Sequence, residues 1–573
     1  MPEVRGASAL STSGTLRPES VENRYDPLLF VAAIVFVLGL GANSIWDANE
    51  AFYVETPRQM VLTGDYLTPT FNAEPRLNKP VLSYWIVAGF YQLLGISVTS
   101  ERMAIAVGAL AILVATCLIG RAVRSTAVGV TAALLLASAP RFVHFARRSM
   151  IDIWLTVFMA VALAAFVHAV TQPVARRRAL LVMYAAIGLG VLTKGPVALV
   201  LPAVVVLAWL AVERRLADVR RLLLVPGALI VLSIVAPWYA ALYVRHGWDP
   251  LVAFFVGENV GRFTTALTTD RNPLFFVGVL FGDILMPWAP LLLVPIWTGW
   301  RRHAAEGTGA TPRRLLWLWI VVIVAAFSLS ASKEDLYILP VIPAAAVLIA
   351  DALHASDFGR RHAGVRVSLA GAALLVALLG VGVAWLFSGG YYRIADAPVV
   401  AGALIAGGVG ALAFLSGGRH RLAFVTLATT FVLFNLLFVL RVLPGVERLK
   451  PVPVLAETIR ARASPAAPVA SLNLSQPSLV YYLGRPVPEL PGDDEAARLL
   501  GAGAEAWLVT GEAEWDRLRP RVPTLCIALR RPRFDARLPD LIRSEPPPAV
   551  LLVTNRCGGS GLPAGQPRAQ HEP

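Results

Sequence analysis

"KPVLSYWIVAGFYQLLG", residues 79–95, is apolar enough to enter a membrane and short enough to lie along its surface. Whether it crosses sets the side of every later loop, and the basic residues decide the question. If 79–95 stays outside, the inward loops carry Arg121 and Arg124, Arg176 to Arg178, Arg214 and Arg215 with Arg220 and Arg221, Arg301 and Arg302 with Arg313 and Arg314, Arg360 and Arg361, and Arg419 and Arg421. That gathers the basic clusters on one face, as cytoplasmic loops require. If 79–95 crosses, the same clusters face outward. We therefore expect an α-helical polytopic membrane protein of about thirteen spans, each near the length needed to cross the hydrocarbon. They fall at 28–45, 103–120, 126–140, 152–170, 179–193, 196–212, 222–243, 274–296, 315–331, 336–352, 367–387, 398–416 and 423–443. Segment 46–98 becomes an outer segment of surface helices, with the N-terminus cytoplasmic and the C-terminal domain extracytoplasmic.

Composition agrees with this class. Of 573 residues, 56% are hydrophobic and only 15% charged, with a mean hydropathy of +0.64, whereas soluble domains carry about a quarter charged residues. A polar tail precedes the first span and no small-residue cleavage site follows it, so it reads as a retained span. The net charge of +14, from 51 Lys and Arg against 37 Asp and Glu, is mostly topological. No basic soluble domain stands out that would take nucleic acid. Of three cysteines, Cys117 lies in a span, while Cys526 and Cys557 are free to pair if their domain is extracytoplasmic.

Four regions follow: a disordered cytoplasmic tail over 1–26, a membrane domain over 27–445, an extracytoplasmic α/β domain over 446–560, and a disordered tail over 561–573. In the third, 467–475, 478–484, 505–511, 524–529 and 549–555 read as strands. Helical stretches near 452–463, 494–503 and 512–519 alternate with them.

The charged residues at span ends collect on the outer face: Asp47, Glu50, Arg58, Lys79, Arg147, Arg148, Asp152, Lys194, His246, Glu258, Arg262, Arg271 and Lys333. Asp47-Ala-Asn-Glu50 has the spacing of a capping box, which is the structural alternative for Asp47. Asn49, Glu50 and Tyr53 lie within one helical turn and can face one pocket. Lysines and arginines at span ends also anchor to headgroups, and His144 and His246 are lone loop histidines. Interfacial Trp and Tyr in "PWYAALY" and "MPWAP" need no site.

The stretch "NEAFYVETPRQMVLTGDYLTPTFNAEPRLNKPVLSYW" resembles the first outer loop of GT-C fold glycosyltransferases that use polyprenyl-phosphate sugars. It is most similar to the undecaprenyl phosphate-aminoarabinose (lipid A) transferases and the protein O-mannosyltransferase-like family. Their Asp-Glu-x-x-Tyr-Ala-Glu-x-x-Arg-x-Met, Gly-Asp-Trp and Phe-Glu-Lys-Pro segments read here as Asn49 to Met60, Gly64 to Tyr66 and Leu77 to Pro80. "RRSMIDIWLTVF", "VLTKGPVALVLP", "FFVGENVGRF" with "DRNPLFF", "MPW" and "FSLSASKEDLYILPVIP" continue the match in order over about residues 28–350.

The resemblance implies an inverting transferase of the bacterial inner membrane with its site facing the periplasm. The donor would be a sugar on undecaprenyl phosphate, and the acceptor lipid A or another envelope glycolipid. It places Asp152, Asp47, Asn49 and Glu50 as catalytic candidates, with Asp152 the leading base for a hydroxyl acceptor. Lys79, Arg58 and Lys333, with Tyr337, Lys194 and Arg262, would bind the donor phosphate, whose leaving dianion needs fixed positive charge. Tyr53, Asn78, Glu258 and Arg271 would line the pocket. Two family carboxylates are Asn49 and Asn78 here, and an amide can coordinate a hard cation but without charge, which puts a divalent metal in doubt. A protein hydroxyl acceptor is the alternative within the class. A lipid-linked substrate transporter would instead place ionisable residues deep in spans and show two equivalent halves. Here Asp283 alone lies within a span, and no internal repeat appears. A scaffold gives no reason for the outer charges.

Overall fold

α1 (Asp26–Ile34) stops short of the span expected over 28–45, and the chain runs on in turns through residue 42. Glycines explain the break: Gly39 has a positive φ of 61°, and a Cβ on Gly41 would collide with Thr99 Oγ1. Carbonyls freed from a helix need other donors when water is excluded. Arg102 donates to the oxygens of Leu40, Asn43 and Ser44 at 2.9, 2.8 and 2.9 Å, and Arg147 donates to that of Val35. The computed structural model describes residues 25–46, 49–265, 272–302, 312–389, 394, 396–534 and 545–557. The two tails expected at 1–26 and 561–573 therefore lie almost wholly outside the described residues.

Segment 46–98 holds α2 (Asn49–Thr63), a short hairpin of β1 (Thr70–Phe71) and β2 (Glu74–Pro75), and α3 (Leu82–Leu94). At 13 residues, α3 extends about 20 Å, too short to cross about 30 Å of hydrocarbon as a straight helix. Trp85 Nε1 donates to the Tyr66 carbonyl at 2.7 Å, and Tyr91 to that of Val54 at 3.1 Å, pinning α3 to the segment before it.

The bundle continues with α4 (Val98–Val123), α5 (Thr126–Ser138), α6 (Pro140–Phe145), α7 (Ile151–Thr171), α8 (Arg176–Lys194), α9 (Val197–Val212) and α10 (Leu224–His246). After α11 (Asp249–Val252), a π-helix over Ala253–Gly261 and α12 (Arg262–Thr264), α13 (Phe275–Val279) leads to α14 (Ala289–Arg302). Then come α15 (Pro312–Leu329), α16 (Ile342–Ala355), α17 (Ala363–Gly389), α18 (Ala397–Ser416), α19 (His420–Leu437) and α20 (Leu443–Glu447).

Among the described residues, eight helices are long and apolar enough to span a bilayer, starting at Val98, Ile151, Leu224, Pro312, Asp335, Ala363, Ala397 and His420. All eight fall on expected spans. Of the other expected segments, 179–193 lies in the continuous 19-residue α8, and the rest are shorter or broken helices. The one over 274–296 is interrupted at 285–288, where Pro287 supplies no N–H to continue the ladder. Close packing without hydrophobic drive requires small residues, as between α4 and α5, where a Cβ on Gly129 would meet the carbonyl oxygen of Cys117.

After α21 (Pro451–Arg462), a mixed sheet forms from β3 (Val469–Leu472), β4 (Glu489–Leu490), β5 (Trp507–Gly511), β6 (Cys526–Pro532) and β7 (Ala549–Thr554), in the order β4-β3-β5-β7-β6. β3 runs parallel to β4 and β5, whereas β7 is antiparallel to β5 and β6. Between strands lie α22 (Pro477–Leu483), α23 (Asp493–Gly501) and α24 (Glu512–Leu518). The expected strand over 478–484 is thus a helix, a correction with a local cause. Pro477 occupies its first turn and Gly484, at φ 67°, ends it in the left-handed conformation. A short apolar run does not by itself separate strand from helix. Cys526 and Cys557 form a disulfide with Cα atoms 5.9 Å apart. This region docks on segment 46–98: Tyr482 Oη accepts from the Ile45 N–H at 2.7 Å, and the Asn72 amide exchanges two hydrogen bonds with Val487.

Candidate active site

Lys79 follows the hairpin, and its side chain turns under the π-helix. Its Nζ donates to Glu258 Oε2 at 2.6 Å and to its neighbour's carbonyl, that of Asn78, at 2.9 Å. The same Glu258 oxygen lies 2.9 Å from Arg262 Nη2, so one carboxylate holds two cations. Arg262 in turn faces the Tyr337 hydroxyl. Lys194, at the C-terminus of α8, pairs with Asp152 in the first turn of α7 and lies 4.8 Å from the centre of the Tyr337 ring. Lys79, Glu258, Arg262, Tyr337, Lys194 and Asp152 therefore form one connected cluster built from five separate stretches of chain.

Electrostatics mark Lys79. Burial pushes its ammonium down to about 8, Glu258 pulls it back, and Arg262 and Lys194 push it down further. A cation crowded by cations exchanges protons readily and welcomes an anion. Tyr53 lies against the cluster, among Tyr84, Arg76, Asp152 and Arg262, and stacks on Tyr84 with ring centres 5.8 Å apart. Burial holds its phenol well above the usual range. The Asn78 side-chain oxygen is buried with no hydrogen-bond partner.

Other expected members are elsewhere. Glu50 is fully buried, and its carboxylate accepts from Arg102 Nε at 3.0 Å, the Trp46 N–H at 2.7 Å and the Ser149 N–H at 3.3 Å. It reaches back to a backbone N–H at the start of α2, as a capping residue does, and its other oxygen holds Arg102. Arg58 is bound by Glu55 through Nε at 2.7 Å and Nη2 at 2.9 Å and faces Tyr481 across 5.7 Å, under the C-terminal region. Lys333 Nζ donates to the carbonyls of Ser328 and Ser330 at 3.0 and 2.8 Å, closing the end of α15. The structure does not bring these three into the cluster. Asp47 and Arg271 lie outside the described residues. Asn49 begins α2, and its side chain is outside them too. His246 meets Thr68 Oγ1 at 2.9 Å.

Two residues join that the sequence did not single out. Arg76 stacks on Phe52 at 3.8 Å and faces Tyr84; its place between Glu74 and Lys79, just after the hairpin, is the available signal. Glu334 faces Arg262, Asp152 and Lys194, and burial raises its carboxyl against the pull of Arg262. Among the described residues it has no ion-pair partner. Among the described residues, which leave out Asp47 and the Asn49 side chain, no three His, Cys, Asp or Glu side chains converge on a point suited to a metal ion.

Residues 78–240 match the family described as dolichyl-phosphate-mannose-protein mannosyltransferase. An undecaprenyl phosphate-α-4-amino-4-deoxy-L-arabinose arabinosyl transferase of Pseudomonas aeruginosa is 31% identical over 356 residues, 61% of this chain and 62% of that protein. The second enzyme of that description in Pseudomonas fluorescens is 29% identical over 378 residues, 64% of this chain and 63% of its own length. The chain thus spans less than two thirds of these curated relatives. Among solved structures, ArnT from Cupriavidus metallidurans bound to undecaprenyl phosphate superposes with a TM-score of 0.78 at 23% identity, over 93% of this chain and 98% of that one. The Archaeoglobus fulgidus oligosaccharyltransferase gives a TM-score of 0.50 at 13% identity, over 86% and 70%. The chain is a multi-pass membrane protein of the GT-C fold. Within that class it is similar to the undecaprenyl phosphate-aminoarabinose transferases.

Proposed function

We propose that the protein is an inverting glycosyltransferase that moves a sugar from undecaprenyl phosphate to an envelope acceptor, most closely aminoarabinose to a phosphate of lipid A. The observation that carries the reading is the half-buried Lys79, joined through Glu258 to Arg262 and grouped with Tyr337 and Lys194 around Asp152. Relatives described as transferases for such a donor support it. By the distribution of basic loops, the site faces the periplasm from the inner membrane.

In the reaction the acceptor oxygen attacks the anomeric carbon as the bond from that carbon to the phosphate oxygen breaks. The electron pair leaves with undecaprenyl phosphate. Lys79, Arg262 and the Tyr337 hydroxyl would meet the growing charge in a fixed arrangement, which is where preorganised donors lower a barrier. A phosphate acceptor arrives as an anion and needs no base. A hydroxyl acceptor gives its proton to Asp152 or to the unpaired Glu334.

The test is transfer by the full-length protein in detergent, from undecaprenyl phosphate-aminoarabinose to lipid A. Product supports the reading; a folded protein that binds the donor and transfers nothing to lipid A overturns the acceptor. A protein hydroxyl acceptor is the second reading, favoured by the match of residues 78–240. It requires the double change Asp152→Asn with Glu334→Gln, which removes both candidate bases, to abolish transfer, whereas a phosphate acceptor tolerates it.

Lys79 also fixes a pH dependence. It binds phosphate only when charged, and its free value is about 8, so bound phosphate raises that value. Affinity for undecaprenyl phosphate is expected to be flat below pH 8. Above it, affinity falls by up to about tenfold per pH unit until the bound form also titrates. A titration by tryptophan fluorescence checks this; affinity constant from pH 7 to 10 would exclude Lys79 from the phosphate.

A further inference from the structure

The hairpin that precedes Lys79 is too small to hold its own shape. It pairs only Thr70 with Pro75 and Phe71 with Glu74, fewer contacts than a hairpin needs to stand alone. Its two turn residues, Asn72 and Ala73, have φ of 56° and 68°, the left-handed region that a two-residue loop of this kind requires. Asparagine tolerates that region, but Ala73 stands where glycine is usual. The shape is therefore imposed from outside. At the tip, the Asn72 amide donates to the Val487 carbonyl at 3.1 Å and accepts from the Val487 N–H at 2.7 Å. Beside it, Phe71 packs against the core of the C-terminal region, which includes Leu455, Leu479 and Val487.

Contacts run from this anchored tip to the cluster. The Phe71 and Phe52 rings meet edge to face with centres 4.8 Å apart, and the Arg76 guanidinium lies 3.8 Å from the centre of the Phe52 ring. The Arg76 N–H donates to the Pro69 carbonyl at 2.7 Å, closing the open end of the hairpin. Its side chain faces Tyr84, which stacks on Tyr53 of the cluster. Only Leu77 and Asn78 separate Arg76 from Lys79, so the two cannot be placed independently. Lys79 Nζ meets Glu258 at 2.6 Å, and a displacement of about 1 Å in a group that acts on the reacting centre costs up to about 10²-fold in rate.

We propose that the C-terminal α/β region positions Lys79 through the hairpin, with Asn72 as the anchoring residue and Phe71, Phe52 and Arg76 as the packed link. On the glycosyltransferase reading, and resting on it, Asn72 acts on the donor phosphate only through Lys79. Other contacts of the same region lack this consequence. Tyr482 Oη accepts from the Ile45 N–H, ahead of α2, and Tyr481 faces Arg58 on α2. Neither lies on the stretch from the hairpin to Lys79. Docking of the region and placement of Lys79 are therefore separable by mutation.

The experiment is a double-mutant cycle of Asn72→Gly and Lys79→Ala, read as undecaprenyl phosphate affinity of the full-length protein in micelles. Glycine keeps the left-handed turn and removes only the two bonds to Val487. Asn72→Gly is expected to weaken binding at least about fivefold when Lys79 is present. In Lys79→Ala the same change should matter less than about 1.5-fold, because a residue that acts through another is not additive with it. Phe71→Leu, which stays apolar in the C-terminal core but loses the ring contact with Phe52, should give the same pattern. Tyr482→Phe should lower the melting temperature and leave affinity within about twofold. In transfer assays the Asn72→Gly loss should appear in the donor KM as well as in kcat. Equal losses with and without Lys79, unchanged affinity in both hairpin variants, an equal loss in Tyr482→Phe, or a fall in kcat at unchanged donor KM would each overturn the positioning role. Lys79→Ala binding undecaprenyl phosphate as tightly as wild type would instead overturn the reading of Lys79 on which this rests.

Discussion

Lys79→Ala is expected to lower kcat/KM for transfer from undecaprenyl phosphate-aminoarabinose by about 10²–10³-fold, the largest effect of any single change in the cluster. The leaving phosphate gains charge as the sugar departs, so a donor aimed at it acts more strongly in the transition state than in the bound substrate. Lys79 is mostly buried, so water does not screen it, and Glu258 with Asn78 fixes its Nζ. Arg262 remains on Glu258 in the variant, which keeps that carboxylate paired and the local fold intact. The fall should therefore appear in kcat as well as in KM, with an unchanged melting temperature. Activity within threefold of wild type would remove Lys79 from the chemistry.

Arg102→Met is expected to destabilise the protein by about 3–5 kcal/mol, because it strands a buried carboxylate. Arg102 is 3% exposed and Glu50 0%, and their pairing at 3.0 Å is only part of the loss. The same guanidinium caps three carbonyls of the unwound stretch after α1, of which that of Ser44 also accepts from Lys450 Nζ at 2.8 Å. Burial works against the Glu50 charge, yet Arg102 and Arg148 hold its carboxyl below the usual range. A melting temperature in detergent checks the prediction. Glu50→Gln separates the two roles offered by the sequence: a lower melting temperature with residual transfer marks a structural residue, and full stability with no transfer marks a catalytic one.

The order of motifs along the chain picks out segments that the fold brings together around Lys79 and Asp152, because each motif lies at a helix end, where apolar periodicity stops and charge becomes conspicuous. What that pattern does not carry is pairing. Arg58 and Lys333 stand in segments as charged as those of Lys79 and Lys194, yet one is held by Glu55 three residues away on α2 and the other closes the end of α15. Glu334 went unnoticed beside Lys333 because alternate residues of an irregular segment face opposite ways, a fact invisible without its backbone. The run at 478–484 is ambiguous for a related reason, since its five apolar and aromatic residues, 479–483, satisfy both periods.

Hydropathy, by itself, determined the membrane class and the long spans, because transferring charge and unpaired backbone into hydrocarbon is costly wherever it occurs in the chain. Only the tertiary structure decided which charges meet. Lys79 and Glu258 are 179 residues apart, and Arg102 and Glu50 are 52 apart. Their partnership depends on how the helices pack, and the packing of small residues such as Gly129 against a neighbouring backbone leaves no mark in the charges themselves.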